Sequence, residues 1–135
     1  MLMLHQHFTR ALLALFLSTL LLSGVVSYFT IKSDNIERYG KELEAHIKII
    51  KLQLPSLEKS ESFAKAFKEQ TQMRFTLINE EGVVLAESDT ESESMDNHAR
   101  REEIIKASRE EFGHAIRFSD SVKSNFLYVA HRFKI

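Results

Sequence analysis

The residue types best suited to chemistry gather in one short stretch, "MDNHARREEI", from Met95 to Ile104. Asp96, His98 and Glu103, with His114 further on, offer the oxygen and imidazole ligands that divalent ions take. Their spacing argues against a metal. Asp96, Asn97 and His98 are consecutive and cannot all face one point on a regular helix. His98 and Glu103 are five apart, which turns them away from each other as well. No metal is expected. The better reading of this stretch is structural: Asp96 or Asn97 accepts amide hydrogen bonds from the first turn of a helix, and His98 ties the loop to a sheet. A paired-carboxylate hydrolase needs two carboxylates converging with opposed pKa values, and no spacing here selects such a pair. There is no G-x-S-x-G or Ser-His-Asp arrangement either, so neither a catalytic residue nor a cofactor is expected.

Binding is the more interesting chemistry. Guanidinium suits two-pronged recognition of a carboxylate, and the resemblance to a sensor region set out below implies Arg101 and Arg117, with the aromatic Tyr128, as the candidate ligand-binding group. The competing reading pairs the two arginines with local acids such as Glu103 or Asp120. The acidic run Glu80, Glu81, Glu87, Asp89, Glu91, Glu93 and Asp96 holds no basic residue. It reads as a solvated loop before it reads as a cation site.

These groups must be positioned by a chain of 135 residues with a lopsided apolar distribution. From Ala11 to Ile31 it reads "ALLALFLSTLLLSGVVSYFTI", without a charge, long enough to cross a bilayer as one helix. Ser18, Thr19, Ser23 and Ser27 are tolerable there, because a hydroxyl can bond back to the carbonyl one turn earlier. A cleaved signal peptide ending near "VVS", residues 1–27, is the alternative. Arg10 and the short leading stub favour an N-terminus in the cytoplasm. The expected organisation is a cytoplasmic stub (1–10), a transmembrane helix in the inner membrane (11–31) and an extracytoplasmic domain (32–135). Of the 18 basic residues all but Arg10, that is 17, lie in that last part with all 19 acidic ones, a balance with no footprint for nucleic acid. No cysteine is present, so disulfides and thiolate metal sites are excluded.

Beyond the span, Ile36, Tyr39, Leu43, Ile47, Ile50 and Leu54 recur at helical spacing, predicting a long helix over 33–54 that Pro55 ends. Its stripe can pack on the domain's own sheet, or form a homodimer seam through Ile36, Leu43, Ile47 and Ile50. A second helix is expected from Ser56 to Gln72. The period then changes, and "MRFTLINEEGVVLAES" reads as two antiparallel strands turned at Gly82. A helix over Asn97 to Glu111 stopping at Gly113 follows, then strands in "HAIRFSDSV" and "NFLYVAHRFKI", connected over Ser119 to Asn125. The class is α+β, an antiparallel sheet region over 73–135 with helices packed on it.

The order of "RFTLINEEGVVLAES", "MDNHARREEIIKA", "IRFSDSV" and "FLYVAHRF" resembles the extracytoplasmic sensor region of bacterial two-component sensor histidine kinases, of the phosphate-regulon sensor kinase type. The resemblance extends to the membrane helix and long helix before them. One departure is Glu102, where that family usually has proline. The resemblance implies a PAS-like (PDC/Cache-like) fold, a central antiparallel sheet flanked by helices and led by a long membrane-proximal helix. It also implies a receptor with a second span and cytoplasmic kinase domains. The chain holds no H-E-x-R-T-P-like phosphoacceptor motif and no glycine-rich nucleotide loop. It is therefore expected to be the non-enzymatic input portion of a longer receptor. Its expected partners are the membrane, a second copy, and an unknown small ligand or partner protein. The alternatives are the input domain of a chemoreceptor or cyclase receptor, a stand-alone anchored or secreted binding protein, and an extracytoplasmic scaffold that recruits a partner.

Overall fold

A computed structural model describes residues 2–54, 57–119 and 123–133. Pro55 and Ser56, expected to end one helix and open the next, lie outside the described residues, as does Asp120. The chain divides into two units, Met1–Tyr39 and Gly40–Ile135. The element order is α1 (Leu2–Gln53), a 3-10 turn (Leu57–Lys59), α2 (Ser60–Thr71), β1 (Thr76–Ile78), β2 (Val84–Glu87), a second 3-10 turn (Ser92–Ser94), α3 (Glu102–Ala107), β3 (Phe112–Ser119) and β4 (Ser124–His131). The class is α+β.

In the first unit α1 is long and apolar enough to cross a membrane, and nothing in its most apolar stretch is buried by protein. Leu12, Leu20, Val25 and Phe29 are all more than half exposed, which suits a lipid-facing surface. Ser18 Oγ donates to the Leu15 carbonyl and Thr19 Oγ1 to that of Phe16, both at 2.8 Å. The hydroxyls are thereby satisfied within the helix.

In the second unit the last turns of α1 pack on β3. Gly40 is buried against the His114 ring, Glu44 Oε1 lies 2.8 Å from His114 Nε2, and the Lys48 ammonium sits 5.2 Å from the centre of the Phe112 ring. Ile50 is buried within the same chain, near Phe63 and Phe67 of α2. It is therefore not available to a second copy, contrary to its place in the expected dimer seam. Ile36, Leu43 and Ile47 are half-buried, while Ile49 and Leu52 on the adjoining stripe are exposed.

The apolar core is small. Ala64 of α2, Leu77 of β1 and Ala86 of β2 are its buried centre, with Leu54, Phe75 and Phe133 packed around them. Phe63, Phe67 and Phe75 form an aromatic cluster with centroids 5.7–6.3 Å apart. The first hairpin turns through Gly82 at φ 81°, where glycine is at ease. The Asn79 side chain accepts from the Val83 amide at 2.8 Å. Its ladder pairs Thr76 with Glu87 and Leu77 with Ala86, then slips so that Ile78 faces Val84, leaving Leu85 as the extra residue of a bulge.

Three expectations change. One continuous sheet was expected; instead β1–β2 and β3–β4 are separate two-stranded sheets. β1 has only three ladder residues and a slipped register. Side chains rather than backbone join the two hairpins: Phe133 packs into the core beside Leu77, and Arg132 reaches Glu80 at 3.5 Å. The helix expected over Asn97–Glu111 is only Glu102–Ala107. Gly113 does not stop it, but lies in β3, which begins at Phe112. A Cβ on Gly113 would collide with the Glu103 carbonyl and the Ala107 amide. Glycine there lets α3 rest directly on the strand backbone.

Candidate functional site: a layer of buried charge

Strand alternation gives β3 two chemically different faces. His114 points to the face that meets α1. Arg117 lies on the other, which it shares with Tyr128 of β4, because Tyr128 pairs with Ala115. The second face is covered by α3. Here Arg117 grips Glu103 with two hydrogen bonds, Nη2 to Oε1 at 2.7 Å and Nε to Oε2 at 3.2 Å. Its guanidinium carbon lies 4.0 Å from the centre of the Tyr128 ring. Glu103 is only 4% exposed. A carboxylate so deep requires a partner, and the two-pronged Arg117 geometry supplies one.

A second buried carboxylate closes β2. Glu87 is fully buried; its Oε1 accepts from Arg74 Nε at 2.9 Å and its Oε2 from Thr76 Oγ1 at 2.6 Å. The Ser88 and Asp89 amides also donate to Oε1, at 2.9 and 3.1 Å. Burial works against the Arg74 charge, but the hydrogen bond and charge of Glu87 outweigh it and hold Arg74 above the usual arginine value.

Arg101 lies within electrostatic reach of both pairs. It is half-buried, and among the described residues its guanidinium has no hydrogen-bond or ion-pair partner. Burial and the like charge of Arg117 lower its pKa, Glu103 opposing and Arg74 adding to the repulsion. A guanidinium remains protonated under such pressure. The layer thus gathers three guanidinium groups (Arg74, Arg101, Arg117) and two buried carboxylates (Glu87, Glu103), with the Asp89 carboxylate at its edge, 4.0 Å from Arg74.

His98 borders the same layer. Its amide donates to the Gly82 carbonyl at 2.8 Å, and Asn97 Nδ2 to the Glu81 carbonyl at 2.7 Å, docking this segment on the β1–β2 turn. A Cβ at Gly82 would strike Ala99 N and Asn97 Oδ1. The His98 ring is 2% exposed, with Nδ1 2.6 Å from the Asp96 carbonyl. A carbonyl only accepts, so Nδ1 carries a proton. Burial, then the Arg101 charge, lower the His98 pKa and favour the neutral ring. Nε2 is then a buried acceptor, and no partner reaches it among the described residues.

Asp96 and Asn97 do not cap α3. The chain turns at His98, whose carbonyl accepts the Arg101 amide at 3.0 Å, and the N-cap position falls to Arg101 without a side-chain bond. Asn97 closes its own turn instead, accepting from the Ala99 amide at 2.8 Å. The structure brings Arg101, Arg117 and Tyr128 together and adds Arg74, Glu87 and His98 to them. Sequence reasoning missed Arg74 and Glu87, although a glutamate inside the apolar strand "VLAES" is a readable signal of a buried carboxylate. His114 is not with His98: it faces Glu44 across the other side of β3. Among the described residues no group of three His, Cys, Asp or Glu side chains could hold a metal ion. No family model, curated protein or solved structure matches this chain.

Proposed function

We propose that this chain is the signal-input portion of a membrane receptor, in the manner of the PAS-like extracytoplasmic region of a two-component sensor histidine kinase. The supporting observation is the two-faced strand β3. One face carries Arg117 into the buried charge layer near Arg101, which has no partner among the described residues; the other carries His114 to Glu44 on α1. Helix α1 is also the element apolar enough to cross a membrane. A signal received in the layer would shift β3 and, through His114, bias α1 between two packings in a homodimer. Two arrangements of similar energy suffice, because a ligand acts only through its different affinity for each. The layer supports a signal site, because a fold this small gains little stability from buried ion pairs over apolar packing.

The test uses the whole chain in bacterial membranes. Alkaline phosphatase, active only outside the cytoplasm, is fused after residue 135, and single cysteines replace Leu43 or Leu52 on α1. The expected result is an active phosphatase together with disulfide-linked dimers. A silent fusion, or monomers only at both positions, overturns the reading.

A further inference from the structure

His98 is a titratable group held where its charged form has no counterpart. Of the residues from Ser92 to Glu102 it alone is buried, at 2% exposure. Its ring therefore anchors a stretch that otherwise lies at the surface. The backbone is fixed at the same point: the His98 amide donates to the Gly82 carbonyl at 2.8 Å, and Asn97 Nδ2 to the Glu81 carbonyl at 2.7 Å. The neutral ring suits this place, because Nδ1 carries the hydrogen given to the Asp96 carbonyl and Nε2 is an acceptor. Adding a proton reverses the fit. Nε2 becomes a buried, charged donor, and no acceptor reaches it among the described residues. The charged groups facing the ring work against its staying. Arg101 and Arg74 repel an imidazolium, and burial itself disfavours one. Glu87 attracts it, but the Glu87 oxygens are held by Arg74, Thr76 and the Ser88 and Asp89 amides.

We infer that His98 is a proton-operated latch: when Nε2 takes up a proton from solvent, the Met95–Arg101 segment leaves the β1–β2 turn. Once released, the imidazolium is solvated by water. Little else opposes the release. Asp96, Asn97, Ala99 and Arg100 are exposed already, and the two bonds to the Glu81 and Gly82 carbonyls are replaced by bonds to water. The segment also sets the start of α3, since the His98 carbonyl accepts the Arg101 amide and the Arg101 carbonyl accepts the Ile104 and Ile105 amides, all at 3.0 Å. Release therefore loosens the end of α3 that holds Glu103 on Arg117. A ring that is protonated only when released raises the released population tenfold for each pH unit below its free value of roughly 6.5.

The latch is a property of the chain alone; only its use as the receptor's signal rests on the receptor reading. The full chain in phosphatidylcholine nanodiscs is followed by amide hydrogen exchange at pH 7.5 and 5.0, each rate divided by that of a free amide at the same pH. The expected result is a rise of roughly 10- to 30-fold at the His98 amide and through Met95–Arg101, with β3–β4 unchanged. The upper value belongs to a ring that takes no proton while latched. His98→Gln keeps a neutral polar side chain and is expected to exchange alike at both pH values. Deuterium exchange at the His98 ring carbon gives the titration curve of the ring, which release should follow. Equal protection at the two pH values overturns the latch. So does a rise of the same size in His98→Gln, a rise shared by β3–β4, or a ring that titrates while its own amide stays protected. If His98→Gln does not fold, the ring and amide curves of the unsubstituted chain still decide. Failure here with an active phosphatase and crosslinked dimers removes acid as the signal and leaves the receptor; a working latch without them leaves a pH-responsive domain and no receptor.

Discussion

Removing Arg117 tests the energetics of the charge layer. In Arg117→Leu, the Glu103 carboxylate, whose side chain is 5% exposed, loses both of its Arg117 hydrogen bonds and stays buried under α3. Breaking a buried pair by deleting one partner costs about 3–5 kcal/mol, because an uncompensated charge remains. The Arg117 side chain is 29% exposed, so water already screens one side of the pair, and the lower end, about 3 kcal/mol, is expected. Loss of the guanidinium over Tyr128 adds about 0.5–1 kcal/mol. For a domain near 100 residues, 3 kcal/mol corresponds to a fall in Tm of roughly 12–24 °C. Removing both charges, as Glu103→Leu with Arg117→Leu, abolishes the buried charge instead of orphaning it. The double variant should therefore recover most of the loss, with a coupling energy of about 2 kcal/mol or more. Thermal unfolding of the detergent-solubilised chain, followed by circular dichroism, provides the measurement. If the double variant is as unstable as Arg117→Leu, or if the single variant loses less than about 1 kcal/mol, the buried-pair reasoning is wrong.

Two glycines should respond in opposite ways to alanine. Gly113→Ala drives a Cβ into the Glu103 carbonyl and Ala107 amide and should cost about 3 kcal/mol or more. Gly40→Ala meets His114 at an ordinary 3.5 Å and should stabilise the helix by up to about 1 kcal/mol, both read by thermal unfolding. Gln72 ends α2 at φ 59°, so Gln72→Gly should stabilise by about 0.5–1 kcal/mol, seen as a higher denaturant midpoint at unchanged slope. The His98 pKa is lowered in the fold, so below about pH 6.5 the unfolded chain takes up a proton that the folded ring resists. Stability from this residue is therefore complete above that pH and declines as pH falls toward the folded pKa. His98→Gln should flatten that part of the stability–pH curve, and an unchanged slope would remove His98 as its source.

The sequence by itself determined the elements whose signal is local. The charge-free run from Ala11 to Ile31 is long and apolar enough for a helix that crosses a membrane, and a helix is the form in which such a segment bonds its backbone groups internally. Alternation in "RFTLI" and "FLYVA", and Gly82 between apolar runs, made both hairpins legible and with them the α+β class. Arg101, Arg117 and Tyr128 could be named as a group only through the resemblance to a sensor region, because residue type does not single them out from the chain's other arginines. Tertiary structure decided the rest. Whether Ile50 serves a second copy or its own chain depends on which side of α1 the rest of the domain covers, and periodicity is the same either way. α3 starts at Glu102 and not at Asn97, because the Met95–Arg101 segment spends its polar groups on the Gly82 turn, twelve or more residues upstream. The state of Arg101 was the least legible of all. In sequence Glu103 reads as an equally good partner for Arg101 and for Arg117, but it is bound to Arg117 across α3 and β3. That long-range choice leaves Arg101 charged, half-buried and unpaired among the described residues, beside a histidine with a bare acceptor.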